Sequence, residues 1–151
     1  LVLLVSCGSN AGSGGADGTV KNISFTEIAS GSYGRHDTGP AIVVGANDQW
    51  RATLMRLIDD VNIPDGRVGV AAFQGQQRSG GFAIRIERIE RDGDRLIVRA
   101  RFSEPKPDDI VTMALTSPVH VVSIAVADAK DLKGAVLLDS DGAERAKASL
   151  T

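Results

Sequence analysis

Few side chains in this sequence can do chemistry, and their spacing limits what that chemistry could be. Histidine occurs only at His36 and His120, and cysteine only at Cys7. A hydrolase of the serine or cysteine type needs a nucleophile, a base and an orienting carboxylate that converge. Ser117 lies three residues before His120, but a Thr-Ser-Pro bend leading into a strand accounts for both without catalysis. His36 falls in a glycine-rich connector and is expected to be a solvated loop residue. Carboxylates pair at Asp59-Asp60 and Asp108-Asp109. Sequence neighbours do not make a general acid–base couple, which needs two groups flanking one bond with divided pKa values. Asp59 and Asp60 are expected to be solvated at a helix C-terminus, where the dipole disfavours them. Asp108 and Asp109 offer at most a weak cation site, and EF-hand spacing is absent. The chain is therefore expected to have no catalytic residue, no metal and no cofactor, and not to be an enzyme.

One polar loop stands out. Gly75, Gln76, Gln77, Arg78, Ser79, Gly80 and Gly81 look at first like a phosphate loop. The Lys-Ser/Thr that would hold phosphate and magnesium is missing, and a strand pattern follows where that motif needs a helix. A hairpin loop longer than a tight turn requires, on a rigid scaffold, is a place where binding function collects. With Thr116, Ser117, Pro118 and His120 it forms the expected partner-contact surface. Arg85, Arg99 and Arg101 are expected to be the solvated face of a sheet, diluted by Glu87. A net charge of −2 over 151 residues gives no basic excess, so nucleic acid is not an expected partner.

The first residues carry a different signal. Leu1-Val2-Leu3-Leu4-Val5-Ser6-Cys7-Gly8 reads as the end of a signal-peptide core running into a lipoprotein processing box. A small residue directly precedes the cysteine, whose thiol would receive the lipid. Neither a start methionine nor a basic n-region precedes Leu1, so the precursor is expected to begin further upstream. Residues 8–18 (GSNAGSGGADG) contain five glycines and no large apolar side chain, and cannot join a core. They suit a flexible tether with an r.m.s. reach of about 18 Å and a stretched limit of about 38 Å. Cys7 is thus the expected lipidation site, anchoring the chain to a membrane through its acyl chains. Gly8 is not the Asp that retains many enteric lipoproteins at the inner membrane, which favours an outer-membrane location in a bacterial envelope.

The remainder must supply the scaffold. Val and Ile number 26 against 11 Leu, a bias towards pleated surfaces. Residues 20–30 are expected to form a first strand and 41–44 a short buried one. Trp50, Leu54, Leu57, Ile58 and Val61 then recur at helical spacing, with Asn47 or Asp48 as the cap and Pro64 as the stop. Residues 67–73 read as a strand. A hairpin follows, with Ile84 and Ile86 alternating, a bulge near Glu87 or Arg88, a turn at 91–94, and Leu96 to Phe102 alternating again. Strands are also expected at 110–115, 119–126 and 135–138. The expected fold is mainly β (α+β), an antiparallel β-sandwich or partly open barrel with one amphipathic helix. The expected organisation is a signal-peptide remnant over 1–6, a lipidated tether over 7–18, a β domain over 19–139 and a C-terminal tail over 140–151.

Two stretches of this scaffold carry a likeness. Phe73-Gln74-Gly75-Gln76-Gln77-Arg78-Ser79-Gly80-Gly81-Phe82-Ala83-Ile84-Arg85-Ile86 resembles the central motif of the PrcB C-terminal domain family. That motif runs from a Gly through polar residues and Thr-Gly-Gly-Tyr into an alternating strand, and here Ser79 and Phe82 replace its Thr and Tyr. Residues 111–122, with Thr116-Ser117-Pro118, are similar to the family's later Thr-Ser-Pro before a strand. The helix containing Trp50 and the step Ile63-Pro64-Asp65 follow the family's order, so the likeness spans residues 20–124. The chain departs at Pro105-Lys106-Pro107-Asp108-Asp109, where the family often has a Gly-rich break, and at Val119, often aromatic there. Members are typically bacterial lipoproteins, and the founding one belongs to a cell-surface protease complex. The resemblance implies an accessory role: a lipoprotein that binds an envelope protein, with a protease among the candidates, and stabilises or assembles it. The alternative is a protease inhibitor whose 75–81 loop enters an active-site cleft.

Overall fold

The computed structural model describes residues 20–59 and 61–150. The readings placed on residues 1–18, Cys7 among them, and on Asp60 lie outside the described residues.

Two sheets pack face to face. The first runs β1 (Lys21–Ile23), β5 (Ala83–Asp92), β6 (Arg95–Ser103), β8 (Gly134–Leu138) and β9 (Glu144–Ser149) in that spatial order. The second runs β2 (Thr26–Gly31), β7 (Val119–Ala125), β4 (Arg67–Phe73) and β3 (Ala41–Val44). Every neighbouring pair is antiparallel except β6 and β8, which are parallel and joined by a crossover through β7 and the one-turn α2 (Val126–Ala129). The result is a β-sandwich with no closed barrel, and one parallel pair in an otherwise antiparallel framework.

Alternation explains the layering. In β4, Val68, Val70 and Ala72 face the first sheet, while Ala71 and Phe73 face the opposite side. In β7, Val122 and Ile124 turn inward and Val119 and Val121 outward. Strands buried on both faces read as near-continuous apolar runs, a pattern that β4 follows from Val68 to Phe73 and β7 follows except at His120 and Ser123. The outer face is covered by α1 (Asp48–Leu57), whose Leu54 packs directly over Gly69; a Cβ there would lie 2.5 Å from Leu54 Cδ2. Asn47 caps the helix, its side-chain oxygen accepting from the Trp50 amide at 2.9 Å.

Several expectations are corrected. Residues 20–30 are two strands in different sheets: Ile23 and Phe25 face the inter-sheet core, while Ile28 faces the helix side. Their broken alternation marks the switch between sheets. The helix ends at Leu57, because Ile58 is already extended (φ −137°, ψ 125°). Val61 and Ile63 continue the apolar stripe from irregular chain and still enter the same core. The expected strand over 110–115 does not form; that segment is irregular and largely exposed. The expected tail over 140–151 contains β9, which pairs along β8, followed by the buried Leu150. The bulge falls between Ile86 and Arg88 and the hairpin turn at Gly93-Asp94, both where expected.

Candidate functional site

At one end of the sandwich three loops are bound into one surface. They are residues 32–40, 74–82 and 104–118. The Thr-Ser-Pro bend holds them, Thr116 and Pro118 gripping the 74–82 loop and Ser117 the 32–40 loop. The Thr116 hydroxyl donates to the Ser79 carbonyl at 2.8 Å. The Ser117 hydroxyl donates to the His36 carbonyl at 2.7 Å. The Pro118 carbonyl accepts from the Gln74 amide at 3.0 Å. Gln77 and Thr116 exchange a reciprocal pair of backbone bonds at 2.8 and 2.9 Å, and the Gly80 amide donates to the Thr112 carbonyl at 2.8 Å.

Two glycines are required by this packing. Gly75 has φ +95°, and a Cβ there would lie 2.7 Å from the Thr38 carbonyl oxygen. Gly81 has φ +88°, and its Cβ would meet Pro105 at 2.7 Å and Val111 at 2.9 Å. Both positions combine a left-handed backbone with a close approach, which only glycine tolerates cheaply. The 75–81 loop is consequently tied down along its length and does not project alone.

Of the expected contact residues, Gln76, Arg78 and Gly81 are exposed, Gln77, Ser79 and Gly80 are half-buried, and Gly75 is buried. Thr116, Ser117, Pro118 and His120 are all buried. The structure thus brings the two expected segments together but turns the second inward, as a clamp. The outward side chains there were missed by sequence reasoning. Ile110, Met113 and Leu115 are 103%, 85% and 64% exposed, and Tyr33, on the adjoining loop, is 78% exposed. Tyr33 and Leu115 flank a cavity of about 330 Å³ whose walls include Arg35, Asp37 and Gln76. Residues 110–115 read as a strand because they are largely apolar. The signal available was their setting, between a Pro-rich break and a bend, without a strict period.

His120 lies 2% exposed on the inner side of β7, and its Nδ1 accepts from the Ile86 amide at 2.8 Å. One imidazole thereby joins the two sheets at the β5 bulge. Burial pushes its pKa below 6.5; the Glu27 carboxylate, 3.6 Å from Nε2, opposes that shift, and Arg85 adds to it. His36, expected to be solvated, is half-buried: its ring tilts against Phe73 at 5.3 Å between centroids, and Nε2 donates to the Gly39 carbonyl at 2.8 Å.

The charged clusters are largely paired internally. Asp59 binds Arg35 at 2.7 Å, and the Asp109 carboxylate accepts from the Lys106 amide at 2.8 Å. On the outer face of the hairpin, Arg101 pairs with Glu87 and Arg99 with Glu90, each at 2.7 Å. Among the described residues no group of three or more His, Cys, Asp and Glu could hold a metal ion, and no helix is long and apolar enough to cross a membrane.

Residues 69–125 match the family model described as PrcB C-terminal. No curated protein and no solved structure matches the chain. The matched stretch runs from β4 to the end of β7, and so includes the 74–82 and 104–118 loops together with the hairpin between them. The third loop of the surface lies outside it.

Proposed function

With residues 69–125 belonging to the PrcB C-terminal family, we propose that this chain is a non-catalytic accessory subunit that docks onto a protease of its complex through the three-loop surface. The observation that carries this reading is the exposure of Ile110, Met113 and Leu115 along one hydrogen-bonded loop, with Tyr33 beside Leu115 in the wall of the 330 Å³ cavity. Exposed apolar groups gathered at one place, rimmed by polar residues, mark protein interfaces. Burying each such side chain contributes about 1.5–3 kcal/mol, so three or four suffice for a specific contact. The family association with a protease complex supports the choice of partner. The lipid-processing pattern at Cys7 supports a tethered location in a bacterial envelope.

The test is capture of the protease partner by wild-type protein and by a Met113→Asp/Leu115→Asp double variant. Both side chains are exposed, so the variant is expected to fold and melt like the wild type. A loss of affinity of about a hundredfold is expected if the two anchors are buried on binding. Equal capture by the folded variant would remove this surface from the reading. Partner activity that is unchanged or raised on binding identifies an accessory subunit; stoichiometric loss of activity identifies an inhibitor.

A further inference from the structure

Away from the loop surface, a second cavity of about 360 Å³ opens between the ends of β2 and β5. Its wall is rich in hydrogen-bond donors. Arg85 and Arg101 lie on it, directly opposite one another in the β5–β6 register. Like charges facing across a ladder destabilise it unless an anion lies between them. Ser30, Ser32 and Ser103 add hydroxyl groups, and Phe82, Ile84 and Val119 supply an apolar wall. Among the described residues no carboxylate is part of its wall, although Glu27 approaches Arg85 to 3.9 Å and Glu87 pairs with Arg101 at 2.7 Å.

His120 also lines it, and has a donor to give. Because Nδ1 accepts from the Ile86 amide, the neutral ring carries its proton on Nε2. Among the described residues that buried nitrogen has no hydrogen-bond partner. Glu27, 3.6 Å from Nε2 and 3.9 Å from Arg85, is an ion-pair neighbour of both but stands too far away to accept a hydrogen bond from either. Glu87 takes one edge of Arg101, whose guanidinium still has further N–H groups to donate. An unpaired buried N–H is costly, which makes a site that supplies its acceptor favourable.

We propose that this cavity binds a carboxylate, held by the guanidinium groups of Arg85 and Arg101 and by the Nε2–H of His120, with the ligand's aliphatic part against Phe82, Ile84 and Val119. Guanidinium groups bind carboxylates through paired, charge-assisted hydrogen bonds, and the cavity volume suits a short chain rather than a large ligand. The carboxylate could be carried by a small organic acid or by an acidic side chain of a peptide. The proposal does not depend on the loop surface or on its partner.

The test follows the imidazole nitrogens of His120 by NMR in the full chain while succinate is added, with sodium chloride at matched ionic strength as the control. Saturable movement of the Nε2 signal with succinate alone is expected. An Arg85→Gln/Arg101→Gln variant, altered only at exposed side chains, is expected to bind at least about tenfold more weakly. No movement, or the same movement and affinity in the folded variant, would overturn the proposal. A capped peptide with one Glu, compared with its Gln counterpart, separates the sources. Tighter binding of the Glu peptide than of succinate assigns the site to a peptide-borne carboxylate, and the reverse assigns it to a small acid.

Discussion

His120 places a titratable group between the two sheets, its Nδ1 bonded to the Ile86 amide of β5 and its Nε2 3.6 Å from Glu27 of β2. Burial lowers its folded-state pKa below 6.5, so as pH falls the unfolded chain takes up the proton first. Its contribution is therefore complete above about pH 6.5 and declines below it until the native ring also protonates. Denaturant melts across roughly pH 5 to 8 should show wild type losing stability towards acid relative to His120→Gln. Substitution by Leu is expected to cost about 1–3 kcal/mol at neutral pH, since it leaves the Ile86 amide without its acceptor. Thr116 acts similarly on the loops: Thr116→Val removes the bond to Ser79, and partner affinity should fall although the residue is buried and touches nothing outside. The Thr-Ser-Pro bend was legible in the sequence as a motif. That its side chains turn inward was not, because hydroxyl groups satisfied by carbonyls of distant loops leave no local pattern.

Elements with a strong period were readable from their residues. The Trp50–Leu54–Leu57–Ile58 stripe and the alternation of Ile84, Ile86, Leu96 and Val98 each report one buried face. The misread elements lacked that report. Residues 110–115 are apolar yet bonded sideways to a loop, and β9 hides its inward face behind two alanines, Ala146 and Ala148. β9 is joined to β8 by a turn in which the Asp139 carboxylate accepts from the amides of Asp141 and Ala143, at 2.9 and 3.0 Å. Those amide bonds, chiefly that from Ala143, hold its pKa below the usual carboxylate value, so the turn should loosen as pH falls through that lowered pKa. Leu150 lies buried just after β9, and Leu150→Ala is expected to cost about 2–5 kcal/mol in denaturant unfolding. A true tail would show no loss.

Across the whole molecule, the family-matched stretch is a stripe through both sheets rather than a self-contained unit. Its strands β5 and β6 lie between β1 and β8, and β4 and β7 between β3 and β2. Residues 69–125 expressed alone should remain unfolded by circular dichroism, whereas 20–150 should fold. The register also has a kinetic consequence. Lys21 pairs with Arg91 and Ser30 with His120, while β9 at the far end packs beside β3. The first two strands must wait for partners made much later, so loop-closure entropy is met before their contacts repay it. As the chain is made, the β3–β4 pair and the β5–β6 hairpin are therefore expected to form first, and β1 and β2 to gain their ladders only once β5 and β7 are present.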